Sequence, residues 1–225
     1  MSKALQEFTR IARYSRFRPD LGRRETWPEQ VSRVFDMHET FFADKMSAIG
    51  EEFEFAKSMV LDKRVLPSMR SLQFGGPSVL RKHARMYNCS ATFIDRPRAF
   101  QEVMWLLLCG TGVGFSVQQH HIAKLPKIAA VDPAQIELHT VEDSIEGWAD
   151  CLGVILSSYF AENQPFPQYF GKKVIFDMSQ IRAKGASISD MGGTSPLVIE
   201  PCIKIMASTI AKSANNQPAR LAELL

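Results

Sequence analysis

From Met86 onward, short β-prone runs alternate with helix-like runs, and this alternation constrains the fold more than any other feature. "MYNCSATFI" is a first β-prone run, and "PRAFQEVMWLLLCG" follows as a helix opened by Pro97 and closed by Gly110. That helix is oily on most faces, which predicts burial. "VGFSVQQH" is a second strand. "DSIEGWADCLGVILSSYF" is a helix capped by Asp143 or Ser144, with an apolar stripe of Ile145, Trp148, Leu152, Ile155, Leu156 and Tyr159. "KKVIFDMSQI" is a third strand, "RAKGASISDMGGTSP" a long glycine-containing loop, and "PLVIEPCIKIMASTIAKS" a last helix that tolerates Pro201 only near its first turn. Strands alternating with helices imply an α/β class with parallel strands and right-handed crossovers. Three strands leave a raw sheet edge, so the expectation is part of a larger architecture.

Residues 1–66 read differently. "LQEFTRIARYSRF" spaces Leu5, Phe8, Ile11 and Ala12 as a helix does, and Thr26 stands as N-cap before Trp27, Pro28 and Glu29. "MSAIGEEFEFAKSMVLDKRVL" continues the helical pattern. Arg10, Arg13, Arg16, Arg18, Arg23 and Arg24 are either a phosphate-binding face or a solvated helix surface; the second reading is the simpler. "LPSMRSLQFGGPS" then marks a boundary and a loop, which divides the chain into a helical part, 1–66, and an α/β part, 67–225.

Composition narrows the function classes. A net charge of +3 over 225 residues gives no electrostatic reason to expect nucleic acid or an acidic membrane as partner. The amino terminus has no apolar signal core, and "VMWLLLC" is far too short to span a bilayer, so a cytoplasmic protein is expected. Cys89, Cys109, Cys151 and Cys202 form no CxxC pair, which fits a reducing compartment and argues against a disulfide framework or a cysteine-based zinc site.

Several residues invite a chemical reading. Cys89 opens a strand-like run; most such cysteines are inert packing, and residue type alone leaves the choice open. "CGTGVGFS" contains GxGxG but follows a helix and enters a strand, the reverse of a dinucleotide fingerprint, so its glycines are expected to let backbones approach closely. Asp143 and Ser144 at a helix start either cap it or read the sugar and base of a nucleotide. The loop from Arg182 to Pro196, with Lys184, suits a triphosphate or is a plain connector. His120 and His121, if adjacent on a strand, point to opposite faces and chelate no common ion, so no metal site is expected.

Four stretches, "LPSMRSLQFGG", "YNCSATFIDRPRAFQEVMWLLLCGTGVGFSVQQ", "VEDSIEGWADCL" and "FDMSQIRAKGASISDMGG", stand in an order that resembles ribonucleotide reductases. The resemblance covers about residues 60–212 and is to the adenosylcobalamin-dependent (class II) ribonucleoside-triphosphate reductases. It implies a ten-stranded α/β barrel, of which this chain supplies the helical start and the first part. Cys89 then corresponds to one of two thiols that reduce the ribose 2′ carbon. Asn88 and Ser90 flank it, and Pro67 and Ser68 match a loop lining the substrate pocket. Asp143, Ser144 and Ile145 match the site for a deoxynucleotide effector's sugar and base, with Arg182, Lys184 and Gly185 at its phosphates.

The resemblance also implies absences. A second redox cysteine, a radical-bearing cysteine, a substrate-phosphate loop and a C-terminal cysteine pair all lie downstream in the family. Cys109, Cys151 and Cys202 match none of these and read as core. The expectation is therefore a chain active with a second chain or segment that carries the missing cysteines. Adenosylcobalamin is the cofactor, contacting mainly the missing half, and a thioredoxin-like protein the reductant. The alternatives are a nucleotide-binding regulatory remnant and an inert fragment.

Overall fold

The structure, a computed structural model, describes residues 2–183, 186–188 and 193–194. The last expected helix, Cys202, Lys184 and Gly185 lie outside the described residues. The chain divides into two compact units, one built on Met1–Asn88 and the other on Cys89–Ala186. The expected boundary at 66/67 thus falls inside the first unit.

In the first unit, helix α1 (Lys3–Arg13) leads to a two-stranded ribbon, β1 (Phe17–Arg18) and β2 (Arg23–Arg24), and then to helices α2 (Trp27–Phe41) and α3 (Met46–Leu61). Thr26 starts α2 as expected: its backbone N–H and hydroxyl both donate to the Glu29 carboxylate, at 2.7 and 2.9 Å. The core is small, with Val31, Phe35 and Val60 buried against Trp27 and Phe53. The expected "LPSMRSLQFGGPS" loop forms two short helices instead, α4 (Met69–Phe74) and α5 (Pro77–Arg81). Ser68 caps the first by accepting from the Ser71 N–H, and Pro77 opens the second; these residues signal helix starts as readily as turns.

Some of the early arginines lie on the expected solvated surface, and others bond into the fold. Arg18 and Arg23 form exposed ion pairs with Asp20 and Glu29. Arg16 and Arg24 donate instead to the Phe74 and Ser15 carbonyls, at 2.8 and 2.6 Å. Arg33 grips the buried Glu25 carboxylate with two bonds and also donates to the Leu72 and Gly75 carbonyls. A small core is thus supplemented by guanidinium forks that satisfy backbone acceptors.

The second unit contains two β–α–β units. Strand β3 (Cys89–Phe93) runs through α6 (Arg98–Leu108) to β4 (Gly112–Ser116), which pairs with it in parallel. After a one-turn helix α7 (Gln119–Ile122), β5 (Asp132–Thr140) runs through α8 (Ile145–Tyr159) to β6 (Lys172–Asp177), again a parallel pair. The expected three strands are therefore four, in two separate two-stranded sheets. Strand β5 was not expected. Its sequence, "DPAQIELHT", carries an early proline and three charged or ionisable side chains, yet Ile136 and Leu138 alternate with Glu137 and His139 at strand period. Two further two-residue strands, β7 (Ser187–Ile188) and β8 (Gly193–Thr194), lie in the long loop.

Helix α8 is the spine of the core: ten of its residues are buried, from Gly147 to Ser158. Ala99 and Val103 of α6 pack into one cluster with Ile94, Val141, Cys151, Leu152, Ile155, Leu156 and Phe160. Each fully buried large side chain contributes roughly 1.5–3 kcal/mol. Helix α6 departs from expectation: of its residues only Ala99 and Val103 are buried, and Leu107 is exposed.

Candidate functional site

Cys89 is the first residue of β3 and is exposed. Side chains alternate along a strand, so Cys89, Ala91 and Phe93 share one face and Ser90 and Thr92 the other. In register with the second set stands Val113, which packs into the α6–α8 core. The sulfur therefore lies on the sheet face turned away from the crossover helix, and Ser90, expected beside it, turns to the helix side. Cys109 and Cys151, by contrast, are fully buried, and burial pushes the Cys151 thiol up to about 12.

At Gly114 of "CGTGVGFS" the expected close approach is not seen. Gly112 and Gly114 stand in register with Cys89 and Ala91, and a Cβ on Gly114 would meet no atom nearer than the Ser90 carbonyl at 3.9 Å. Neither glycine adds a side chain of its own to the cysteine-bearing face.

In the first unit, Pro67 is half-buried ahead of α4, and the Ser68 hydroxyl is engaged as its cap. Asn88 is exposed, and its side-chain oxygen accepts from the Nε of Arg70, whose guanidinium also lies 5.1 Å over the Phe74 ring. Arg70 is a residue the sequence reading missed. A guanidinium has no acceptor, so the Asn88 carbonyl oxygen must face it and the NH2 group must face away.

The other expected cluster sits where β5 and β6 end. The ladder continues with Val141 N–H donating to the Asp177 carbonyl, and the chain then turns into α8. Ser144 is the N-cap, accepting from the Gly147 N–H at 2.9 Å, and half-buried Ile145 is the first helical residue. Asp143 and Arg182, 39 residues apart, meet in an ion pair of 2.6 Å with side chains about 30% exposed. The fold thus joins two residues that the sequence linked only through a resemblance. The place is the crevice outside the carboxyl ends of parallel strands, beside a helix N-terminus. A backbone bond from Ser179 holds the Asp177 carboxyl below the usual carboxylate range.

His120 and His121 were expected on a strand but lie on the one-turn helix α7. Their ring centroids are 3.9 Å apart, and His121 stacks on Phe93. Among the described residues, no group of three or more His, Cys, Asp or Glu is arranged to hold a metal ion. No described helix is long and apolar enough to cross a membrane. A cavity of about 480 Å³ between α6 and α8 is lined by Arg98, Glu102, Trp105, Glu146 and Asp150, with the Trp105 indole donating to Glu146.

Residues 118–210 match the family model described as the insertion domain of B12-dependent ribonucleotide reductase. A putative adenosylcobalamin-dependent ribonucleoside-triphosphate reductase of Mycobacterium phage D29 is 25% identical over 81% of this chain and 29% of its own length. The adenosylcobalamin-dependent ribonucleoside-triphosphate reductases of Lactobacillus delbrueckii subsp. bulgaricus and Euglena gracilis are 22% and 27% identical, over 81% and 85% of this chain and 32% and 27% of theirs. A crystal structure of a B12-dependent (class II) ribonucleotide reductase superposes with a TM-score of 0.78 at 22% identity, covering 96% of this chain and 38% of the other. The chain thus spans about a third of the length of the proteins it matches, and its mixed helix-and-strand fold is that of the class II reductase structure.

Proposed function

We propose that this chain, similar over most of its length to part of the adenosylcobalamin-dependent ribonucleotide reductases, forms the helical start and first barrel segments of such an enzyme. The observation that carries the reading is the placement of Cys89. It is exposed at the start of a parallel strand, on the face opposite the crossover helix, while Cys109 and Cys151 are sealed in the core. In this reading Cys89 is one of two thiols that together supply two electrons and two protons to a ribonucleoside triphosphate. The 2′ carbon–oxygen bond breaks, the hydroxyl leaves as water, and the thiols end as one disulfide. Exchange with a thioredoxin-like dithiol restores them. A rigid strand end suits a group that must meet a ribose carbon in one geometry.

Adenosylcobalamin, when bound, supplies the radical that starts the chemistry. The grooves among the described residues are open; two carry charged side chains and one is lined mainly by Met37, Phe41, Phe42, Val79 and Leu80, and the cofactor's contacts fall mainly in the missing half. The second thiol and the radical-bearing group belong to polypeptide beyond the described residues, which we place in a C-terminal chain or segment. Asp143, Ser144, Ile145 and Arg182 bind the deoxynucleotide effector, with Lys184 and Gly185 at its phosphates. Binding there alters substrate preference through a coupling of ~1–3 kcal/mol.

The test mixes this chain with a C-terminal complement carrying the missing cysteines and measures deoxynucleotide formation under multiple turnover with adenosylcobalamin and dithiol reductant. Activity is expected with the unaltered chain and is lost in Cys89→Ser; sustained turnover by Cys89→Ser would defeat the assignment. A second reading, a nucleotide-binding regulator without catalysis, draws on the ion pair at the strand ends, which lies wholly inside the second unit. Deoxynucleotide binding by the chain alone, with no activity from any complement, favours it.

A further inference from the structure

Among the described residues of the first unit, one buried cation has no counterion. Arg85 is only 8% exposed, and its Nε and Nη1 are sealed from solvent with no hydrogen-bond partner. Removing a guanidinium from water costs several kcal/mol unless an anion or acceptors replace the lost hydration. Elsewhere in this unit that condition is met: buried Glu25 takes Arg33, and the Phe74 carbonyl takes Arg16.

The sequence around Arg85 points the same way. From Asp62 to Asp95 the chain has no intervening acidic residue, yet it carries Lys63, Arg64, Arg70, Arg81, Lys82 and Arg85. A planar fork of donors matches the paired oxygens of a phosphate or carboxylate better than a point charge does.

We infer that Arg85 is an anion-binding residue, held ready for the oxyanion of a phosphate-bearing ligand. Identifying that phosphate with the substrate's triphosphate rests on the reductase reading, since Arg85 stands four residues before Cys89 in the chain.

The probes are sodium tripolyphosphate and a ribonucleoside triphosphate, titrated into the full chain and followed by thermal shift. Arg85→Met keeps the length and apolar stem of the side chain but removes the charge. The unaltered protein is expected to gain several degrees in Tm with tripolyphosphate. Arg85→Met is expected to melt higher than the unaltered protein without ligand, because an uncompensated buried charge is gone, and to need at least tenfold more probe for any gain. Arg85→Lys restores part of the response. Equal stabilisation of both proteins by tripolyphosphate, no stabilisation of either, or a lower ligand-free Tm in Arg85→Met combined with an undiminished response overturns the inference. If both probes act through Arg85 but the ribonucleoside triphosphate does not protect Cys89 from alkylation, the anion site stands and the reductase reading fails.

Discussion

Gly147 is the position where two opposing effects can be weighed against each other. It is the third residue of α8, where alanine would ordinarily be preferred by about 1 kcal/mol. Here an added Cβ would lie 2.3 Å from the Glu142 carbonyl oxygen and 2.9 Å from its carbon. Those are backbone atoms, so relief requires the turn itself to retreat by more than half an ångström. That carbonyl accepts from the Ser144 N–H at 2.8 Å, and Ser144 accepts from Gly147 in turn. Overpacking costs about 1–3 kcal/mol and a loosened N-cap about 1 more, so after the gain in helix preference Gly147→Ala loses about 1–3 kcal/mol. At roughly 2–4 °C per kcal/mol for a chain of this size, Tm falls by about 2–12 °C. Thermal and urea unfolding followed by far-UV circular dichroism measure it. A Tm equal to or above that of the unaltered protein would refute the reasoning, because helix preference would then have outweighed the backbone clash.

Alkylation of the native protein, read site by site by mass spectrometry, should modify Cys89 at neutral pH while Cys109 and Cys151 stay unmodified until unfolding. The raised Cys151 value means the unfolded thiol ionises first, so its contribution to stability is present below pH 9 and is lost as pH climbs towards 12. His139 behaves oppositely. Burial between Tyr169 and Phe176 holds its imidazole below the ordinary value, against the opposing pull of Asp150 and Glu142. The unfolded chain therefore takes the proton more readily, and stability present above pH 6.5 is lost as pH falls. Urea midpoints at pH 7 and pH 5 should converge in His139→Phe. Phe160→Ala, which empties a fully buried position in the core cluster, should cost about 3–5 kcal/mol by urea titration.

The sequence by itself determined several of the local elements and the identity of the reactive groups. Thr26 with Glu29 fixed the start of α2, Ser144 the start of α8, and the alternation after Met86 the β–α–β character, because caps and periodicities are read from neighbours along the chain. Only tertiary structure decided what those elements do together. It split the strands into two separate pairs and added β5, whose outward Ile136 and Leu138 hid its strand character behind charged neighbours. Sheet register put the sulfur of Cys89 opposite the crossover helix with Gly112 and Gly114 beside it, and parallel-strand ends brought Asp143 to Arg182. It also turned Asn88 towards Arg70 and buried Arg85 with its Nε and Nη1 unpartnered among the described residues. These are pairings across long stretches of chain, and no local rule of residue preference encodes which distant group will stand opposite a given side chain.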